Sequence, residues 1–147
     1  AVLALVIPAV AQESSWLTDF EAAKAAAKKD DKVILADFTG SDWCGWCIKL
    51  KSEVFDQPEF LAWAKENAVL LELDFPHGKE LPAELKKQNE MLRERFKITG
   101  YPTIVFLDAS GKFLGRGGYV EGGPAKWIAE AEKQSGRKSK KPAAKKK

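Results

Sequence analysis

At 147 residues, 45% hydrophobic and 31% charged, the chain has the composition of one ordinary soluble globular domain with a sizeable core, which argues against a second domain. Two cysteines exclude the disulfide framework that staples small secreted modules, so the fold rests on its own core and both thiols are free for chemistry. The formal charge of +3 is unevenly spread: Arg137 to Lys147 holds seven of the 24 Lys and Arg and no acid, leaving 17 basic against 21 acidic residues before it.

Taken in order, Ala1 to Ala11 (AVLALVIPAVA) is an apolar run ending in Ala9-Val10-Ala11 ahead of a polar stretch. It has the pattern of a signal-peptide core and cleavage site, is too short to span a bilayer as a helix, and places the mature start near Gln12. The Ala-rich stretch Thr18 to Lys29 predicts a helix, with Thr18 or Asp19 as its cap. Lys32 to Phe38 (KVILADF) is an almost continuous apolar run and predicts a strand buried on both faces, as central strands of α/β sheets are.

A loop at Thr39 to Asp42 then leads into helical spacing from Cys44 to Val54, so the cysteines fall at a strand-to-helix junction. Pro58 to about Asn67 predicts a helix, Val69 to Phe75 a strand, Pro76 to Lys79 a turn, and Leu81 to Phe96 a long charged helix. Thr103 to Leu107 and Lys112 to Gly117, joined by Asp108-Ala109-Ser110-Gly111, predict an antiparallel hairpin, and Pro124 to about Gln134 a final helix. This order implies an α/β fold with a central mixed sheet and helices on both faces.

The stretch Trp43-Cys44-Gly45-Trp46-Cys47 carries the chemistry. Two thiols three positions apart can close a disulfide in the first turn of a helix, and a helix N-terminus stabilises a thiolate, which points to thiol–disulfide exchange. Haem attachment needs His after the second cysteine, where this chain has Ile48. Structural zinc takes four ligands, usually Cys and His, and the chain offers two Cys and one His. A purely structural role is weak, because closing so short a loop constrains the unfolded chain little. Cys44 at the helix start is the expected exposed nucleophile and Cys47, one turn deeper, the resolving thiol; the helix end lowers the pKa of the first and burial raises that of the second.

The phrase Phe38-Thr39-Gly40-Ser41-Asp42-Trp43-Cys44-Gly45-Trp46-Cys47-Ile48-Lys49, followed far downstream by Gly100-Tyr101-Pro102-Thr103, resembles the thioredoxin superfamily over roughly Trp16 to Gln134. With Asp74-Phe75-Pro76, the resemblance is to exported bacterial thioredoxin-like disulfide oxidoreductases, the periplasmic chlamydial ones among them. It implies a thioredoxin-like domain over residues 12–136, a cis Pro102 against the disulfide, and Tyr101 supplying backbone to a client peptide. It further implies a periplasmic or otherwise exported monomer that exchanges electrons with disulfide-containing client proteins and a separate redox partner, using no cofactor beyond the Cys44–Cys47 pair. Asp37 falls near the family's buried carboxylate that serves the resolving cysteine.

Trp46 stands where thioredoxin has proline, which leaves the redox potential open. The connection Pro76 to Lys87 is also longer than in thioredoxin. Trp43 and Trp46 form an apolar rim for client proteins, Trp46 being equally readable as a residue packed on the fold. His77 reads as a surface histidine and Lys49 as a solvated cation. The basic tail, residues 137–147, is expected to be disordered, with weak electrostatic contacts and no specific nucleic-acid recognition. A redox-silent chaperone or adaptor on the same fold is the alternative function.

Overall fold

The computed structural model describes residues 16–140. The signal-like segment Ala1 to Ala11 and the last seven residues of the basic tail lie outside them.

The two apolar runs form the centre of a five-stranded sheet. β1 (Trp16–Leu17), β2 (Val33–Thr39), β3 (Ala68–Asp74), β4 (Thr103–Leu107) and β5 (Phe113–Gly117) lie in the order β1-β3-β2-β4-β5. β1, β3 and β2 run parallel, while β4 is antiparallel to both β2 and β5. All seven residues of β2 are buried, as expected of a strand covered on both faces.

Strand alternation divides the core into two layers. Ile34, Ala36 and Phe38 point to one face with Leu71 and Leu73, where they meet Phe20, Ala23 and Ala27 of α1 (Phe20–Asp30) and Leu92 of α4 (Ala83–Arg95). Val33 and Leu35 point to the other with Leu70, against Leu50 of α2 (Gly45–Leu50), Phe60 of α3 (Pro58–Asn67) and Trp127 of α5 (Gly123–Ser135).

Local chemistry sets the helix ends. The Asp19 carboxylate accepts the Ala22 N–H at 2.6 Å, resolving the choice of cap for α1 in favour of Asp19, and Pro58 opens α3. The expected Cys44 to Val54 helix is α-helical only to Leu50 and continues as a π-helical turn over Lys51–Phe55. β1 was not expected, since two residues carry no periodicity.

Sheet register brings three separate segments to one end. Thr39 pairs with Asp74 and Phe38 with Thr103, so the loop after β2, the Phe75-Pro76 exit from β3 and the Tyr101-Pro102 approach to β4 converge there. At the opposite end Lys140 Nζ donates to the Asp31 carbonyl at 3.1 Å and its backbone N–H to Asn67 Oδ1 at 2.7 Å. Ser139 Oγ bridges Trp63 and Glu132. Within the stretch expected to be disordered, Ser139 and Lys140 are therefore laid against α3, α5 and the end of α1.

Candidate active site

Gly40 turns the chain off β2, and its carbonyl accepts the backbone N–H of both Trp43 (3.2 Å) and Cys44 (2.8 Å). A Cβ at Gly40 would lie 2.3 Å from the Trp43 ring, so only glycine admits this approach. Cys44 is then the N-cap of α2, with extended backbone and its Sγ accepting the Cys47 N–H at 3.2 Å. The two cysteines form a disulfide with Cα atoms 5.2 Å apart.

The two cysteine residues differ less in exposure than expected. Cys44 is 6% exposed and Cys47 5%, so in the oxidised protein Cys44 is not an exposed thiol. The cap explains this: a side chain folded back over the helix end to accept an N–H is withdrawn from solvent. What separates the two is hydrogen bonding, since Cys44 Sγ receives an amide N–H of the helix end, the arrangement that stabilises a thiolate there once the disulfide is opened.

Asp37 projects from β2 to the same face as Val33 and Leu35, the face packed by α2, and toward the end of the strand where the cysteines lie. It is buried, and its Oδ1 has no hydrogen-bond partner among the described residues. Burial, reinforced by the negative charges of Glu72 and Asp74, pushes its pKa up to about 8. Glu72, its neighbour across the β2–β3 ladder, is also raised, chiefly by burial and next by Asp74.

A lacework of polar contacts, invisible in the sequence, ties the cysteine loop to the exit of β3. Asp74 accepts the Ser41 N–H at 2.9 Å and the Ser41 hydroxyl at 2.5 Å. The Asp42 carboxylate accepts the His77 N–H (2.9 Å) and the Gly78 N–H (2.7 Å), bonds that hold its pKa below the usual carboxylate range. Trp43 Nε1–H donates to the Phe75 carbonyl at 2.7 Å. The Trp43 ring stacks on His77, centroids 4.4 Å apart and planes 5° from parallel, and meets the edge of Tyr101 at 5.6 Å. His77 is exposed but far from idle, because it forms one wall of the Trp43 site. The Tyr101–Pro102 peptide is cis.

On the other flank Trp46 is 56% exposed and packs one side against Tyr119 at 5.0 Å. Trp46 thus packs one side on the fold and leaves the other exposed. Lys49 is not merely solvated: its ammonium sits 5.0 Å from the Trp46 ring centroid, 5.3 Å from that of Tyr119 and 3.8 Å from Glu53. The Tyr119 hydroxyl donates to Glu53 at 2.5 Å, which raises the phenol pKa. Tyr119 and Glu53 carried no motif by which they could have been singled out. Among the described residues, no group of three or more His, Cys, Asp and Glu converges as a metal site requires.

A disulfide at the junction of a buried strand and a helix, at the same end of the sheet as a cis-proline loop, agrees with a sequence match to the thioredoxin-like domain over residues 20–134. The chain belongs to the thioredoxin-like family. The disulfide bond reductase DsbH of Chlamydia pneumoniae is 38% identical over 125 residues, which span 85% of this chain and 75% of that protein. The thioredoxin-related protein DsbJ of the same organism is 30% identical over 92 residues, 63% of this chain and 26% of that protein. The solved structure of a DsbH oxidoreductase superposes with a TM-score of 0.80 at 34% identity, covering 94% of this chain and 95% of the other. A thioredoxin from Thermus thermophilus superposes with a TM-score of 0.58 at 17% identity over 80% of this chain and 84% of its own, which shows the shared fold. The chain is thus a homologue of thiol–disulfide oxidoreductases and carries a Cys44–Cys47 disulfide. No helix among the described residues is long and apolar enough to cross a membrane.

Proposed function

We propose that the chain is a protein-disulfide reductase of an exported, periplasm-type compartment, working through Cys44 and Cys47. The observation that carries this reading is the hydrogen bond from the Cys47 N–H to Cys44 Sγ at the start of α2. It supports an attacking role for Cys44, because an amide donor and the positive end of the helix favour the thiolate over the thiol. The reducing direction rests on similarity to a protein named as a disulfide reductase, and the compartment on the signal-like run Ala1 to Ala11.

In the reduced protein the Cys44 thiolate attacks one sulfur of a client disulfide, and the other client sulfur leaves as a thiolate. Cys47 then gives up its proton and attacks Cys44 Sγ, releasing the second client thiolate and leaving the Cys44–Cys47 disulfide seen here. Two electrons pass to the client, and a separate redox partner must return them. Asp37 is the group assigned to take the Cys47 proton. With its pKa raised to about 8, the ionised form that can accept a proton is the minor one at neutral pH and becomes the major one above about pH 8.

Trp43, Trp46 and Ile48 are three of the large apolar side chains left exposed, and all flank the disulfide. Together with Tyr101 and Pro102 they are assigned to contact the client, which suits a polypeptide substrate better than a small thiol. The test is trapping. Cys47→Ser should accumulate mixed disulfides with client proteins on non-reducing gels, while Cys44→Ser should accumulate none. The reverse pattern would overturn the assignment, and equal insulin-reduction rates for wild type and the double Cys→Ser variant would favour a redox-silent binding role.

A further inference from the structure

The basic stretch after α5 has no part in the dithiol chemistry, yet the structure fixes where it leaves the domain. Trp63 Nε1–H donates to Ser139 Oγ at 2.6 Å, and Glu132 accepts both the hydroxyl and the backbone N–H of Ser139. Lys140 is tied through its N–H to Asn67 and through Nζ to the Asp31 carbonyl just past α1. The chain therefore leaves Lys140 at the end of the sheet where β2 and β3 begin, with the disulfide at the other end. Around that exit Lys28 and Lys29 of α1, Lys65 of α3, Lys138 and Lys140 are exposed and form no ion pair among the described residues. The acids beside them are mostly occupied: Asp30 lies 3.9 Å from Lys32, Asp31 lies 3.7 Å from Arg137, and Glu132 holds Ser139, while Glu66 stands exposed. Beyond Lys140 the sequence adds Lys141, Lys145, Lys146 and Lys147, with no acid among them.

We propose that this end of the domain docks on an anionic phospholipid bilayer and holds the disulfide on the side away from the lipid. The inference rests on the exported compartment proposed above and is independent of the dithiol chemistry. Its first ground is charge: a cluster of four to eight lysines is what an anionic leaflet attracts, each one near the surface tightening binding by about fivefold. A cation in the last turn also offsets the negative end of its own helix, which accounts for Lys28, Lys29 and Lys65 but not for the lysines from 138 onward. Residues 137–147 contain no aromatic side chain on which a base could stack, so a lipid headgroup suits them better than a nucleic acid. The second ground is geometry. The seven residues of β2, at about 3.3 Å each, put the exit and the cysteine loop roughly 20 Å apart. That exceeds the Debye length of about 8 Å at physiological salt, so a surface bound at the exit leaves the potential at Cys44 unchanged.

The test sediments the full-length protein with vesicles of phosphatidylcholine alone or mixed in equal parts with phosphatidylglycerol. Wild type should bind the mixed vesicles only, and should be released at about 1 M salt, where the Debye length shrinks to roughly 3 Å. Replacing Lys141, Lys145, Lys146 and Lys147 together by Gln should weaken binding by at least about tenfold. Orientation is read by acetylating lysines on and off the vesicles and locating the products by mass spectrometry. Lys28, Lys29 and Lys65 should be protected, while Lys49 and Lys79, at the disulfide end, keep their solution rates. Reduced Cys44 should react with iodoacetamide equally fast in both states. Absence of preference for the anionic vesicles, unchanged binding by the fourfold Gln variant, or equal protection at Lys28 and Lys79 overturns the proposal. Tighter binding to double-stranded DNA than to the mixed vesicles at the same salt overturns it in favour of a nucleic-acid contact. Docking without insulin reduction upholds the surface and removes the reductase reading.

Discussion

Replacing Asp37 by Asn should make the protein more stable at neutral and alkaline pH while slowing its turnover. The wild-type carboxyl is buried, lacks a partner for Oδ1, and faces the negative charges of Glu72 and Asp74. Its pKa is about 8 in the folded chain against 3.8 for an ordinary aspartate. Between those values the unfolded chain has released the proton that the folded chain keeps. Wild-type stability therefore falls as pH rises through that window, by at most roughly 1.4 kcal/mol per pH unit from this group. Across the whole window the upper bound is on the order of 5 kcal/mol, a large share of a domain's net stability.

Asn keeps the shape and carries no charge, so Asp37→Asn lacks this loss. Urea unfolding of both oxidised proteins from pH 4 to 9 measures the effect: the curves should lie close near pH 4 and diverge steadily up to about pH 8. Parallel curves would refute the reasoning, showing that the carboxyl is ionised and satisfied in the fold. In the same variant the mixed disulfide should persist longer above about pH 8, where the wild-type carboxyl is ionised and can serve as the proposed acceptor of the Cys47 proton.

The lacework and the sheet packing are open to equally direct tests. Ser41→Ala removes the hydroxyl donor to the buried Asp74 carboxylate while keeping the backbone N–H, and should cost about 1–3 kcal/mol in urea unfolding, with faster amide exchange across the cysteine loop. Gly115→Ala places a Cβ 1.8 Å from the Gln134 carbonyl oxygen, a backbone atom that cannot swing aside. It should cost more than about 2 kcal/mol by thermal unfolding as α5 is forced off β5. A melting temperature within a degree of wild type would show that the two elements are not in that contact.

What the sequence by itself determined is whatever depends on near neighbours. The β2 and β3 runs, Pro58 at a helix start, the hairpin and the placement of two cysteines one helical turn apart all follow from side chains within a few positions of each other. The thioredoxin-like architecture and the cis peptide at Tyr101–Pro102 were legible only through resemblance, since nothing local ties Pro102 to Cys44. Only the tertiary structure decided the rest. The acceptors of Asp42 and Asp74 meet donors 33 to 36 residues away, and such partners are chosen by strand register. Asp37 is an unremarkable aspartate in the sequence; its raised pKa exists only because other elements exclude water from it and bring two more carboxylates near. The cysteines show the same division. Their spacing announces a dithiol, but the near-equal burial of the two residues and the amide hydrogen bond that distinguishes Cys44 depend on how the helix end is set into the fold.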